Sequence, residues 1–235
     1  MRPLRRDSGR HAITRSASSS ARRVGWCAAA RKERFEDRRR PAGGAALTTE
    51  AELRAVTIGE PTVLTGPIEL VDYESAWPAL FQREAARIRS ILGDGVRLLE
   101  HVGSTSVPGL AAKPIIDIVL AVSDSADEAA YVPAMETAGY LLRIREPDWC
   151  EHRLFKGPDT GVNLHVFTEG SPEIERMLAF RDRLRAHPDE RLLYEAAKGD
   201  LAARDWTYVQ HYADAKSEVV EAIIARAMKK RPRAE

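Results

Sequence analysis

The chain lacks most features of a membrane, secreted or generally anion-binding protein. No apolar stretch is long enough to span a bilayer, and the first residues lack the hydrophobic core of a secretory signal. The two cysteines, Cys27 and Cys150, do not indicate a disulfide framework, because Cys27 falls in a segment expected to be disordered. The formal net charge of +1 gives no general attraction to nucleic acids or membranes. We therefore expect a cytoplasmic protein in a reducing compartment, with no membrane partner.

Positive charge is nevertheless concentrated at the beginning of the chain. Residues 1–40 contain 12 Arg and one Lys against four acidic residues, and they include the polar tract SASSS. We expect residues 1–62 to form a basic, disordered extension. A transit peptide is the weaker reading, because KERFEDRRR contains acids and no amphipathic stripe. Nucleic-acid binding through this arm rests on composition alone and is not expected; it would be salt-sensitive and lost on removal of residues 1–60.

The remaining residues, 63–230, have the length of one domain, and the whole chain is 44% hydrophobic. Alternating and continuous apolar runs predict strands at 96–102, 114–122, 140–146, 152–156 and 162–167. The turn sequence GPDTG between the last two predicts a β-hairpin. We expect an α+β (mixed α/β) fold, with a sheet core at about 66–168 and a helical cap at about 171–230.

Helical periodicity separates and follows these strands. Ser75 is predicted to cap a helix over WPALFQREAARIRSIL, and a second helix is predicted over roughly 125–138. Three more helices are predicted in the cap, over SPEIERMLAFRDRLRAH, PDERLLYEAAKGDLAAR and HYADAKSEVVEAIIARAMKK. PIELVDY (67–73) is predicted to be a strand or an extended arm.

A carboxylate inside an apolar strand is the most informative feature of this domain. Asp117 lies within PIIDIVLAV (114–122), a run that otherwise predicts a strand buried on both faces. Burying a carboxylate costs several kcal/mol unless a cation, a metal ion or a metal–phosphate complex neutralises it. We therefore expect Asp117 to mark the functional site.

A turn-rich loop precedes this strand. In GSTSVPGL, Gly103 allows close approach of the backbone to a ligand, and Ser104, Thr105 and Ser106 supply hydroxyl groups. Such a loop is suited to phosphate binding. A Gly-Ser turn followed by an acid in the next apolar strand is an arrangement that binds nucleotides.

The segment HVGSTSVPGLAAKPIIDIVLAV (101–122) resembles the GrpB family, which belongs to the polymerase-beta-like nucleotidyltransferase superfamily. Later segments resemble the same family in the same order: HRLFK, NLHVF, LAFRDRLRAHP and YEAAKGDLA. The resemblance covers about residues 66–230. It implies a nucleotidyltransferase-like mixed sheet with helices packed on it and a helical C-terminal region.

The resemblance also implies a metal-dependent nucleotidyltransferase that moves a nucleoside monophosphate from a nucleoside triphosphate to an acceptor. In that superfamily Gly-Ser lies over the triphosphate, and two acids one residue apart on the next strand, with a third on a later strand, hold two Mg²⁺ ions. Gly103 and Ser104 match the loop, and Asp117 matches the first acid, which gives it the catalytic role. Position 119 is Val, so the second acid is missing. The alternative is a degenerate nucleotide-binding or regulatory module. Some family members are fused to a dephospho-coenzyme A kinase domain, which fits both readings.

The later strand offers Asn163 and His165 in place of the third acid. A histidine is a poor ligand for Mg²⁺ and an acceptable one for Mn²⁺ or Zn²⁺. His101, Asp117 and His165 could therefore form a site of two imidazoles and one carboxylate. Two alternatives stay open, namely structural histidines and a single Mg²⁺ held by Asp117 and substrate phosphates.

Basic residues of the sheet and the cap could line the phosphate site. Several lie beside apolar helix stripes or in the strands, so that they point towards the sheet or a cleft. The candidates are Lys113, Arg153, Lys156, Arg181, Lys198 and Lys216. Arg would clamp a phosphate with two hydrogen bonds, and Lys would act as a point charge. The alternative for each is an ion pair, for example with Asp182, Glu195 or Asp200.

Overall fold

The structure is a computed structural model that describes residues 47–159 and 161–229. The prediction of a disordered extension falls mostly on residues 1–46, which lie outside the described residues. The described part contains seven α-helices, at Glu50–Val56 (α1), Trp77–Leu92 (α2), Val132–Thr137 (α3), Pro172–Ala186 (α4), Pro188–Ala202 (α5), Val209–Ala215 (α6) and Ser217–Lys229 (α7). No helix within these ranges is long and apolar enough to cross a membrane.

The core is a mixed five-stranded sheet, which confirms the predicted α+β class. Its strands are Leu98–Val102 (β1), Ile116–Val122 (β2), Leu141–Glu146 (β3), His152–Lys156 (β4) and Val162–Thr168 (β5). They lie in the order β1-β2-β5-β4-β3, and only the β2–β5 pair is parallel. The predicted hairpin is confirmed, because Lys156 pairs with Asn163 in an antiparallel β4–β5 ladder.

Strand β2 is buried on both faces by two different layers. Ile118 and Leu120 point into the main core, where α2 and α3 cover the sheet. Val119 and Ala121 point to the other face and pack with Phe167 and with Ile174 of α4. This explains why β2 is a continuous apolar run, because successive side chains of a strand alternate between the two faces. Asp117 shares the α4 face with Val119.

Helices α4 to α7 form the predicted C-terminal cap. Helix α4 packs against α5, α7 and β1. The segment after the Gly103 loop is anchored in this cap, since Val107 and Leu110 pack with Leu184, Tyr194 and Ile223. The loop that precedes β2 is therefore held between the sheet and the cap.

Ordered structure begins before residue 63, the predicted start of the domain. Helix α1 has a capping box, in which the Thr49 hydroxyl accepts from the Glu52 amide and the Glu52 carboxylate accepts from the Thr49 amide. The amide of Ile58 then bonds to the carbonyl of Arg143 in β3. The capping pattern is visible in LTTEAEL and could have predicted this helix.

Three further local predictions differ from the structure. Ser75 does not cap α2, whose N-cap residue is Ala76 and has no side-chain cap. The helix predicted at 125–138 is a 3₁₀ turn followed by α3, which begins at Val132 with Pro133 in its first turn. The last helix is divided at Lys216, whose amide bonds to Ala213, three residues back instead of four. The prediction about the two cysteines is not among these, because Cys27 lies outside the described residues.

The arm 67–73 is extended rather than a strand. It touches the sheet region through a single bridge, in which Val71 and Ala112 exchange backbone hydrogen bonds at 2.9 Å. This bridge fixes the chain just before β2.

Candidate functional site

Asp117 lies at the beginning of β2, beside the preceding loop and at the edge of a cleft. It pairs with Val102 across the β1–β2 ladder. The cleft has a volume of about 180 Å³ and is lined by Val102, Gly103, Asp117, His165, Met177 and Phe180. The Asp117 side chain is 28% exposed, so its carboxylate reaches this cleft. The buried acid predicted from the sequence is therefore open to a ligand.

Two polar side chains of β5 flank the carboxylate of Asp117. Asn163 pairs with Asp117 in the parallel ladder, and its Nδ2 donates to Oδ1 of Asp117 at 2.7 Å. The Oδ1 atom of Asn163 accepts from Nζ of Lys156 at 2.5 Å. His165 lies one step further along the same face, with Nε2 at 3.8 Å from Oδ1 of Asp117.

These neighbours keep Asp117 ionised. Burial raises the pKa of the carboxyl group, but contacts with His165 and Asn163 and the charge of Lys216 outweigh this effect. The net result is a pKa below the ordinary value. The cleft therefore presents a carboxylate at neutral pH.

The donor set lacks the second acid of a two-metal site. Val119, at the position of the missing second acid, is fully buried in the apolar cluster against α4. No group of three or more His, Cys, Asp or Glu side chains within the described residues could hold a metal. Asp117 and His165 are the residues that would hold a single ion, together with water and ligand oxygens. Such an ion would neutralise phosphate charge.

His101 does not join them, which corrects the predicted site of two imidazoles and one carboxylate. It pairs with Ile118 and so points to the opposite face of the sheet from Asp117. Its ring stacks on Phe81 at 4.9 Å, and Nε2 lies 3.1 Å from the hydroxyl of Thr105. Burial lowers the pKa of His101 to about 4, so the ring is a neutral structural group at neutral pH.

The hydroxyl groups of the loop are used within the protein, which corrects the phosphate role predicted for Thr105 and Ser106. The Thr105 hydroxyl donates to the carbonyl of Ile115 at 3.0 Å, and that of Ser106 donates to the carbonyl of Gly103 at 2.6 Å. Both residues are buried. Ser104 is partly exposed, and its Oγ accepts from Lys198 at 3.3 Å.

Lys198 ties the cap to this loop. Only 2% of the residue is exposed, and its ammonium group also donates to the carbonyl of Ala111. The neighbouring amide of Ala111 donates to Glu195 at 2.9 Å. Burial first, and then the charge of Lys216, lowers the pKa of Lys198 to about 7. Its geometry gives it a structural role in holding the loop, rather than the direct phosphate contact predicted.

The two arginines are ion-paired, which corrects their predicted phosphate contacts. Arg153 points to the face opposite Asp117 and bonds to Glu128 at 2.6 Å and to Glu151 at 3.3 Å. Arg181 lies nearer the cleft but donates to Glu100 at 2.8 Å and also to Asp182 at 2.8 Å. Both guanidinium groups therefore form ion pairs within the protein, which is the alternative considered for them from the sequence.

Three lysines interact electrostatically with the carboxylate of Asp117. Burial lowers the pKa of Lys113, Lys156 and Lys216, and the negative charge of Asp117 opposes this effect in each. Within the described residues, the ammonium groups of Lys113 and Lys216 make no hydrogen bond or ion pair, and that of Lys216 lies 4.3 Å from the centre of the Tyr212 ring. Burial lowers the pKa of Lys216 to about 8 although Asp117 opposes the change. The site therefore has more positive than negative charge.

Comparison with known proteins agrees with this arrangement of segments. A family model described as GrpB protein matches residues 67–226. The chain belongs to the GrpB family. Among its relatives, a UPF0157 protein from Halalkalibacterium halodurans is 60% identical over 179 residues, which cover 76% of this chain and 92% of the relative.

Two further proteins are similar to this chain. The crystal structure of conserved protein GrpB from Enterococcus faecalis is similar with a TM-score of 0.62 and 31% identity, covering 69% of this chain and 98% of that one. A protein named dephospho-CoA kinase from Mycolicibacterium paratuberculosis is 31% identical over 169 residues, which cover 60% of this chain and 41% of that protein.

Several residues at the site of this GrpB-family chain are not predicted from the sequence. Met177 and Phe180 line the cleft from α4, but their spacing indicates only a helix face. His152 contacts His165, and Glu146 in turn contacts His152. The hairpin at GPDTG gives a signal for His152, because the register that pairs Lys156 with Asn163 places it on the same face as His165.

Proposed function

We propose that this GrpB-family chain binds the phosphate groups of a nucleotide at the Asp117 cleft and acts as a nucleotide-binding or regulatory module. The observation that carries the proposal is the surplus of positive charge around a single carboxylate. The ammonium groups of Lys113 and Lys216 make no hydrogen bond or ion pair within the described residues, although that of Lys216 lies over the ring of Tyr212, and both interact with the charge of Asp117. A phosphate–metal complex supplies both an anion for the lysines and a cation for Asp117.

The size of the cleft supports recognition of phosphates rather than of a whole nucleotide. Its volume of about 180 Å³ is below the range of about 300–1,000 Å³ that is typical of pockets for complete small-molecule ligands. The base and sugar would then lie largely in the open. We therefore expect weak discrimination between bases.

Thermal-shift titration of the full chain tests this proposal. We expect ATP, GTP and inorganic tripolyphosphate each to raise the melting temperature, because ligand binding to the folded state stabilises it. Lys216→Gln should weaken the shift, because it removes a cation from the site. Lys229→Gln, at the end of α7, is the matched control. Equal shifts in wild type and Lys216→Gln would contradict the assignment, and the absence of any shift would reject the proposed function.

The pH dependence of tripolyphosphate binding is a second prediction. A bound phosphate favours the charged form of Lys216, so binding raises a pKa that is about 8 in the free protein. Affinity should be constant below about pH 7.5 and should fall through pH 8 to 9.5, because binding then requires proton uptake. Lys216→Arg stays charged and should remove this fall. Measurement is by calorimetry in metal-free buffer, and an unchanged pH profile in Lys216→Arg would show that another group is responsible.

Nucleotidyl transfer is a second candidate, and the exposure of the Asp117 carboxylate to the cleft favours it. In the superfamily that the chain resembles, the corresponding acid holds a catalytic ion. The expected result for a transferase is release of pyrophosphate from a labelled triphosphate with Mg²⁺ or Mn²⁺, abolished by Asp117→Asn. Binding without pyrophosphate release supports the module, whereas release that survives Asp117→Asn would exclude this residue as the catalytic acid.

A further inference from the structure

The hydroxyl group of Ser104 differs from the other two hydroxyl groups of its loop. Those of Thr105 and Ser106 belong to buried residues and donate to backbone carbonyls, whereas Ser104 is partly exposed. Its side-chain partners within the described residues are two members of α5, namely Lys198, with Nζ at 3.3 Å from Oγ, and the hydroxyl of Tyr194. Neither of the proposed functions uses this hydroxyl group.

Lys198 is a buried lysine without an ion-pair partner in the described part of the chain. Its Nζ atom bonds to the carbonyl of Ala111 and to Oγ of Ser104 instead of to a carboxylate. Burying an ammonium group without a carboxylate is costly, so burial favours the uncharged amine. Burial and the charge of Lys216 lower the pKa of Lys198 to about 7, and the charge of Glu195 opposes this change. Both forms of the amine are therefore populated near neutral pH.

The neutral amine of Lys198 has a lone pair that faces the hydroxyl of Ser104. A backbone carbonyl only accepts hydrogen bonds, so the amine must direct an N–H at Ala111. Ser104 is then the neighbour that can donate a proton to the lone pair. The hydroxyl of Tyr194 stays protonated, because burial raises its pKa to about 12, and it can donate to Oγ of Ser104. A hydroxyl that donates to an amine base is the arrangement of an activated nucleophile.

Ser104 also lies beside the proposed phosphate site. It directly follows Gly103, which lines the cleft and contacts the side chain of Asp117 closely. The cleft, of about 180 Å³, has room for phosphates and leaves the base and sugar of a nucleotide outside. The terminal phosphate of a nucleoside triphosphate would therefore enter it first. Lys113 and Lys216 interact with the charge of Asp117 and supply positive charge for the remaining phosphates.

We propose that Ser104 is the nucleophile of a self-phosphorylation reaction, with Lys198 as its general base and a nucleoside triphosphate as the phosphoryl donor. This inference rests on the proposed nucleotide binding. Oγ of Ser104 forms a bond to the terminal phosphorus, and the bond from that phosphorus to the bridging oxygen breaks. A nucleoside diphosphate leaves with the electron pair, and the proton of Ser104 passes to Nζ of Lys198. The resulting phosphoserine places an anion beside the lysines of the cleft and should weaken further phosphate binding.

Incubation of the full chain with γ-labelled ATP and Mg²⁺ tests this reaction. We expect labelled phosphate on Ser104, located by mass spectrometry of peptides, and no label on Ser104→Ala. Ser90→Ala removes an exposed hydroxyl of α2 and is the control, which should be labelled like the wild type. Label on another residue would overturn the proposal, as would attachment of a nucleoside monophosphate. So would the absence of label in a chain that tripolyphosphate stabilises, whereas a chain that tripolyphosphate does not stabilise rejects the proposed function itself.

The pH dependence of labelling tests the role of Lys198 as the base. At saturating ATP the initial rate should rise roughly eightfold from pH 6 to 7.5, because the neutral fraction of an amine with a pKa of about 7 rises by that factor. Lys198→Arg keeps the charge but cannot accept the proton, so it should slow labelling by about 100-fold or more and remove the rise. Lys229→Arg, at the end of α7, is the control and should do neither. A pH-independent rate in the wild type would overturn the role of Lys198, even if Lys198→Arg failed to fold.

Discussion

Gly103→Ala is expected to destabilise the chain and to eliminate phosphate binding at the cleft. A Cβ atom at this position would lie 2.4 Å from Oδ2 of Asp117, and the backbone has φ +68° and ψ −173°, a conformation essentially restricted to glycine. We expect a loss of about 2–6 kcal/mol in the free energy of unfolding, from backbone strain together with overpacking against the carboxylate. Chemical denaturation gives the stability change, and tripolyphosphate titration gives the binding change.

Gly109→Ala is the matched control for this effect. Gly109 also has a positive φ, of +73°, but a Cβ atom there would meet nothing within 4 Å. It should show the strain alone, about 1–3 kcal/mol, and should retain binding. If both variants lose binding equally, the close approach of Gly103 to Asp117 has no functional meaning. If Gly103→Ala alone loses it at temperatures where both are folded, that contact shapes the cleft.

Sequence periodicity was sufficient for the elements that carry the site. The β2 strand, the β4–β5 hairpin and the acid at position 117 all follow from alternation, turn residues and one out-of-place charge. These are local signals, and each reports on a few consecutive residues. The proximity of the Gly103 loop to Asp117 also followed, because loop and strand are separated by only about a dozen residues.

The assignment of side chains to ligand or structural roles could not be made from the sequence. Three side chains have the chemistry of phosphate ligands but are hydrogen-bonded to other residues of the protein: Arg153, Lys198 and Thr105. Their partners lie at least ten residues away in the sequence. Such partners depend on register and packing, which periodicity does not specify. His101 illustrates the simplest case, because one step along β1 decides which face of the sheet it occupies.

Contacts that sequence patterns do not predict also occur, in a row of polar side chains formed by Glu146, His152, His165 and Asp117. Its four members come from four strands, and no pair of them is closer than six residues in sequence. Strand order β2-β5-β4-β3 is what brings them together. Sheet order depends on non-local pairing, so a site of this kind becomes visible only in the folded structure.

Arg153→Met is expected to be among the most destabilising single substitutions, and to leave phosphate binding intact. The Arg153 side chain is 5% exposed, and its guanidinium group bonds to Glu128, which also pairs with Arg145. Removing the guanidinium group should cost about 1.5–3 kcal/mol, because its charge-assisted hydrogen bonds are lost while Glu128 keeps its pair with Arg145. Arg145→Met, at a position 45% exposed, is the control and should cost about 1 kcal/mol or less.

Arg153→Met should also change how the free energy of unfolding depends on pH under acidic conditions. The hydrogen bond from Arg145 is the largest influence on the pKa of Glu128, and with Arg153 it lowers that pKa to about 2 against the effect of burial. Because folding lowers the pKa of Glu128, its ionised carboxylate stabilises the folded state at pH values above its ordinary pKa of 4.5. This contribution is lost as the pH falls towards 2. Arg153→Met should therefore flatten the stability profile between pH 4.5 and 2, measured by urea denaturation. If it also eliminated tripolyphosphate binding in the folded protein, Arg153 would belong to the site after all, and the ion pair with Glu128 would have to open to admit the ligand.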